Sequence, residues 1–224
     1  MIKKLFALSI SLTLITIPVV VHAKGNSSDG QTKVASCVSC HGENGNSMVP
    51  SFPKLAGQHE AYLVRQLQDL KDGFRNAPMM APLAMALDDK SIEDIAAYYS
   101  SQKISSNPMP YLADDDDDEV EKTDEQKTDE INELLALGLD LYKNGNLETK
   151  VSACIACHGP NADGNEPAAF PSLKGQHADY LIKTLTDFKN GDRSKISDNM
   201  MHMIAKKMSK KEIQAVAFHI SMMK

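Results

Sequence analysis

The chain has no tryptophan, and its six Tyr and six Phe hold the aromatic content to 5% of 224 residues. Side chains that commonly fill small cores are therefore scarce, and something else has to supply apolar bulk. No run alternates polar with apolar residues, so a sheet is not expected. Basic side chains do not dominate either: 24 Lys and Arg face 30 Asp and Glu, a formal charge of −6. That balance excludes nucleic-acid binding through bulk charge. No long apolar run follows residue 21, which excludes a multi-span membrane protein, and a hydrophobic content of 42% excludes a wholly disordered chain.

The one apolar run that is present, Leu5 to Val21, follows Lys3-Lys4 and precedes Val21-His22-Ala23. Basic start, apolar middle and small residues at −3 and −1 fit a secretory signal peptide over 1–23, cleaved after Ala23. A retained anchor is the alternative, because the run is near the shortest that spans a bilayer. Either way the rest is exported, in a bacterial cell to the periplasm.

The exported part repeats itself. Cys37-Val38-Ser39-Cys40-His41-Gly42 returns as Cys154-Ile155-Ala156-Cys157-His158-Gly159. Phe52-Pro53-Lys54-Leu55-Ala56-Gly57-Gln58-His59 returns as Phe170-Pro171-Ser172-Leu173-Lys174-Gly175-Gln176-His177. Tyr62, Asp69, Arg75, Met80 and Ile92 then match Tyr180, Asp187, Arg193, Met201 and Ile213. This is a tandem duplication. The expected domains are 24–112 and 131–224, joined by an acidic segment over 113–130.

That segment holds 11 acidic residues, Asp114 to Asp118 among them, against Lys122 and Lys127. Like charges at this density repel one another and offer no apolar face, so a disordered spacer is expected. Residues 24–112 carry 8 basic and 9 acidic side chains, and residues 131–224 carry 12 and 10. The acidity belongs to the linker, and the domains are nearly neutral. A handle for a basic partner is the alternative use of the run.

Each domain reads as helical. Ile131, Leu134, Leu135, Leu139 and Tyr142 recur at helical spacing before Gly145. Residues 59–72 and 177–190 are amphipathic and stop at Gly73 and Gly191. Final helices are expected over Ser91–Lys103 and Ser209–Met223, with Ser91 and Ser209 as caps.

All four cysteines sit in the two Cys-x-x-Cys-His motifs. Two disulfides are the default for an exported protein, and a four-thiolate zinc site also competes. Neither gives a reason for the His that follows each second Cys. Covalent attachment of c-type haem does, because two thiols one helical turn apart can bind the vinyl groups and the adjacent imidazole the iron. Two haems are expected, and a macrocycle supplies the apolar bulk that aromatic residues do not. Each domain of about 90 residues is otherwise marginal.

A second axial ligand can come from Met79, Met80 or Met85 in one unit and Met200, Met201 or Met203 in the other. Only the pairs Met79/Met200 and Met80/Met201 keep the repeat register. His59 and His177 also match one another, and are read chiefly as polar residues at a helix start. His202 and His219 face Ala81 and Tyr98 in the other unit, which favours surface or packing roles.

The paired Cys-x-x-Cys-His-Gly motifs, each followed by Phe-Pro-x-Leu-x-Gly-Gln-His-x-x-Tyr-Leu, resemble the dihaem cytochrome c4 family, as does Ile92 to Lys103. The resemblance covers 29–112 and 131–224. It implies an all-α fold of two class I cytochrome c domains related by a pseudo-twofold, with haems close enough to exchange electrons. It favours Met80 and Met201 as axial ligands beside His41 and His158. It also implies that the carbonyls of Pro53 and Pro171 accept the ring N–H of those histidines. The function implied is single-electron transfer in the periplasm, from a quinol-oxidising complex to a terminal oxidase or reductase, with docking to a membrane complex. A relay subunit of a larger oxidoreductase, and a dihaem enzyme such as a peroxidase or a sulfur-compound dehydrogenase, are the alternatives. Such enzymes need an iron that opens or an unusual ligand such as Cys, and no cysteine is spare. The sequence leaves the oligomeric state open.

Overall fold

The computed structural model describes residues 25–112, 122–193 and 199–224. The signal segment and residues 113–121 of the linker lie outside them. Ten helices and two isolated β-bridges form the described residues, with no strand among them. The first domain holds α1 (Ser27–Lys33), α2 (Val38–His41), α3 (Glu60–Lys71), α4 (Ala81–Met85) and α5 (Asp89–Ser100). The second holds α6 (Asp124–Asn144), α7 (Ile155–His158), α8 (Ala178–Asn190), α9 (Asn199–Ala205) and α10 (Lys210–Met222).

In each domain the first helix crosses the last, α1 on α5 and α6 on α10. A glycine sits at each crossing. A Cβ on Gly30 would lie 2.0 Å from the Asp94 carbonyl oxygen, and one on Gly138 2.0 Å from that of Ala215. Only a missing side chain lets the backbones approach this closely. The core of the first domain gathers Val34, Leu63, Ile95, Ala96, Tyr98 and Tyr99, with Cys37 packed against it. That of the second gathers Tyr142, Leu181, Met208, Ile213 and Val216, with Cys154 packed against it.

Two element boundaries differ from the sequence expectation. Helix α6 begins at Asp124, inside the segment expected to be disordered. Thr123 and Gln126 close a reciprocal capping box there, and Asp124 and Glu125 sit where the helix dipole favours negative charge. Local capping thus holds 124–130 helical despite their charge. Helix α5 starts at Asp89, two residues before Ser91, because the Asp88 side chain accepts the Ser91 N–H at 2.7 Å and takes the capping role. Ser209 caps α10 as expected, in a capping box with Glu212.

Helix α5 is tied to α1 through Asp94, whose side chain is 1% exposed. It accepts from the Asn26 N–H at 2.7 Å, from Lys33 at 2.7 Å and from Lys90. The hydrogen bonds from Lys33 and Lys90 hold its carboxyl well below the usual range. Its stabilisation is therefore complete above the unfolded value near about 4 and is lost as pH falls toward the folded one. Acid unfolding of Asp94→Asn is expected to have a flatter pH dependence below about pH 4 than the parent. Denaturant midpoints measured across that range check this, and parallel curves would contradict it.

Candidate haem sites and the domain interface

The two Cys-x-x-Cys-His motifs form the single-turn helices α2 and α7, with Cys37 and Cys154 in the capping positions. One turn of helix brings Cys37 together with Cys40, and Cys154 with Cys157, on one side. Gly42 and Gly159 leave these helices at φ 77°, a backbone conformation that a side chain would strain. No disulfide joins the four cysteines, and each is partly buried. Burial pushes the pKa of the Cys37 thiol up and that of Cys154 to about 11.

His41 and His158 are buried, 5% and 8% exposed. Nδ1 of His41 donates to the Pro53 carbonyl at 2.9 Å, and Nδ1 of His158 to that of Pro171 at 3.0 Å. A carbonyl only accepts, so the ring proton lies on Nδ1 and the Nε2 lone pair is available to a metal. Burial lowers both imidazole pKa values, which keeps the rings in the neutral form that coordination needs. Paired thiols one turn apart and a neutral, oriented imidazole on the same short helix fit a c-type haem. No three His, Cys, Asp or Glu side chains converge as a metal site among the described residues, so the zinc alternative lacks a donor set.

Met80 immediately precedes α4, which packs on α3, and Met201 lies in α9, which packs on α8. Both are half-buried. Their neighbours are more exposed: Met79 66%, Met85 65%, Met200 55% and Met203 45%. His202 donates to the Phe188 carbonyl at 2.7 Å, and the His219 ring packs 5.8 Å from that of Tyr142.

His59 and His177 precede α3 and α8 without capping them. Each reaches into the other domain instead. His59 Nε2 donates to the Asp163 carbonyl at 2.6 Å, and His177 Nε2 to that of Ser47 at 2.9 Å. Further pairs cross with the same symmetry. The Gln58 side-chain amide exchanges two hydrogen bonds with the Ser172 backbone, at 2.8 and 2.9 Å. Gln176 exchanges two with the Lys54 backbone, both at 2.8 Å. Arg75 donates to the Tyr180 hydroxyl and Arg193 to that of Tyr62. Burial alone would raise the Tyr180 hydroxyl, but the two guanidiniums outweigh it and draw its pKa down. These residues stood out in the sequence only by repeating, which marks them without saying what they touch.

The family model for cytochrome c matches residues 27–103 and 136–224. Cytochrome c4 of Azotobacter vinelandii is 41% identical over 96% of this chain and 97% of its own. The crystal structure of reduced recombinant cytochrome c4 from Pseudomonas stutzeri superposes with a TM-score of 0.76 at 41% identity, covering 89% of this chain and all of that one. The chain belongs to the cytochrome c4 family. It is thus a dihaem electron-transfer protein that binds two covalent c-type haems, one in each domain. Members of the cytochrome c4 family are electron carriers and not enzymes, so the peroxidase and dehydrogenase readings fall. A further relative, the thiosulfate dehydrogenase electron acceptor of Thiomonas intermedia, is 36% identical over 83% of this chain and 77% of its own.

Proposed function

We propose that Cys37 and Cys40 in the first domain, and Cys154 and Cys157 in the second, carry the thioethers of the two haems. His41 with Met80, and His158 with Met201, are the axial pairs. The observation that carries this reading is the Nδ1–H bond from each motif histidine to a proline carbonyl, made in the same way in both domains. The half-burial of Met80 and Met201, against their more exposed neighbours, supports them over Met79 and Met200. Bound in this way, the group supplies a one-electron iron couple. A Met ligand in addition to His would raise its potential, and two ligands supplied by the chain would favour outer-sphere transfer over substrate binding.

The carrier works in the periplasm, exported by residues 1–23, between a quinol-oxidising complex and a terminal oxidase or reductase. Among the described residues no helix is long and apolar enough to cross a membrane. The relative named as an acceptor for thiosulfate dehydrogenase favours a second source, a sulfur-compound dehydrogenase that passes on electrons singly.

Optical and NMR spectra of the oxidised protein test the ligands. A Met-to-iron charge-transfer band from both haems is expected, with half its intensity lost in Met80→Ala and half in Met201→Ala. An undiminished band in either variant rejects that methionine.

A further inference from the structure

The residue after each interface proline connects the two halves of the molecule. The peptide group between Pro53 and Lys54 is held from both sides. Its carbonyl accepts Nδ1–H of His41 at 2.9 Å, and its N–H donates to Gln176 Oε1 of the other domain at 2.8 Å. The peptide group between Pro171 and Ser172 repeats this in reverse. Its carbonyl accepts from His158 at 3.0 Å, and its N–H donates to Gln58 Oε1 at 2.9 Å. Gln58 and Gln176 are 7% and 6% exposed, so water does not substitute for either amide.

We infer that Gln176 and Gln58 are positioning residues that set the reduction potential of the haem in the opposite domain. Hydrogen bonds in a chain polarise one another: an amide whose N–H is engaged presents a more negative carbonyl oxygen. A stronger acceptor draws the Nδ1 proton away from the imidazole and makes its Nε2 a stronger donor to iron. More electron density at the metal favours the ferric state and lowers the potential. Gln176 in the second domain thus acts through Lys54 and Pro53 on His41, and Gln58 acts through Ser172 and Pro171 on His158. Opening of the interface would exchange each glutamine acceptor for water, a smaller change than losing the acceptor within the closed interface. This inference rests on the assignment of His41 and His158 as axial ligands.

The test is a redox titration of the holoprotein followed by NMR, with each haem recognised by the methyl resonance of its axial Met. In Gln176→Met, which keeps the bulk and loses the acceptor, the ferric-to-ferrous ratio of the first-domain haem at fixed ambient potential should fall about threefold. That is a rise of about 30 mV for a one-electron couple. The second-domain haem should move much less, and Gln58→Met should reverse the pattern. Gln176→Glu keeps an oxygen acceptor facing Lys54 and should lower the first-domain potential, whereas simple packing damage would move both variants alike. Equal shifts at the two haems, a shift confined to the mutated domain, or the same sign in Gln176→Met and Gln176→Glu would each overturn the relay. His41→Gly reads the underlying assignment separately. If its spectrum loses the axial signature while the Gln variants do nothing, the relay alone fails; if its spectrum is unchanged, the ligand assignment fails first.

Discussion

Replacing Cys154 and Cys157 together by alanine is expected to halve the haem content and to destabilise the second domain far more than any surface change. The denatured chain should weigh less by one haem, and the haem absorbance per polypeptide should fall by half. The stability effect follows from the core. Cys154 packs against the cluster of Tyr142, Val151, Leu181 and Ile213, which contains no Trp and a single aromatic ring. A domain of this size buries too little of its own surface to be robust. A cofactor bound only by the native state adds about 4 kcal/mol when its effective concentration exceeds its dissociation constant a thousandfold, and covalent attachment holds it at least there. At about 4–8 °C per kcal/mol for a small domain, the thermal midpoint of the second domain should drop on the order of 15–30 °C. The first domain, with its own core, should keep its haem and most of its stability. Differential scanning calorimetry and mass spectrometry of the denatured variant decide the matter. A variant that retains two covalent haems, or unfolds at the parent midpoint, would refute the assignment of these thiols.

Much of this is legible in the sequence, because haem attachment is a local problem. Two thiols and an imidazole within one turn need only Cys37, Cys40 and His41 in sequence, and the duplication repeats them. Long amphipathic helices such as 60–71 and 178–190 announce themselves by their spacing in the same way. What escaped is non-local or polar. Helix α1 is short and hydrophilic, and nothing in Ser27–Lys33 shows that Gly30 will meet the Asp94 backbone. Asp124 to Glu130 look like a solvated acidic tract until the Thr123–Gln126 box is recognised as a helix start. His59 and His177 invite a reading as local polar residues, yet each donates to a carbonyl more than 100 positions away in the chain. Repetition shows that such residues matter, but contact across a pseudo-twofold has no signature in linear spacing.

Asn107→Ala is expected to loosen the union of the two domains, since this one side chain is the node where the connecting segment meets both. Its Nδ2 shares two protons among the carbonyls of Gly175, Gln176 and Ser221, at 2.9, 3.0 and 3.0 Å, and its Oδ1 accepts from Lys54 Nζ at 2.6 Å. Lys54 itself is 3% exposed, and burial lowers its pKa, so its ammonium depends on Asn107 and on the Ser105 carbonyl at 2.8 Å. Alanine leaves three carbonyls and a desolvated cation short of a partner. At roughly 1 kcal/mol for a neutral group and more for a charged one, the closed arrangement should weaken by about 2–4 kcal/mol. The domains need not unfold to relieve this, because separation hydrates every orphaned group. Where opening is rapid, proteolysis follows the open population, so cleavage within 104–112 should accelerate on the order of a hundredfold. Electron exchange between the haems, which depends steeply on their separation, should slow in parallel, while each Met-to-iron band is preserved. The same opening exchanges Gln176 for water at the Lys54 N–H, so the first-domain potential should rise less than it does in Gln176→Met. Proteolysis and exchange rates equal to the parent's would show that the glutamine and histidine contacts hold the interface without this strap. A raised potential with undisturbed exchange would instead separate the hydrogen-bond relay from the distance between the haems.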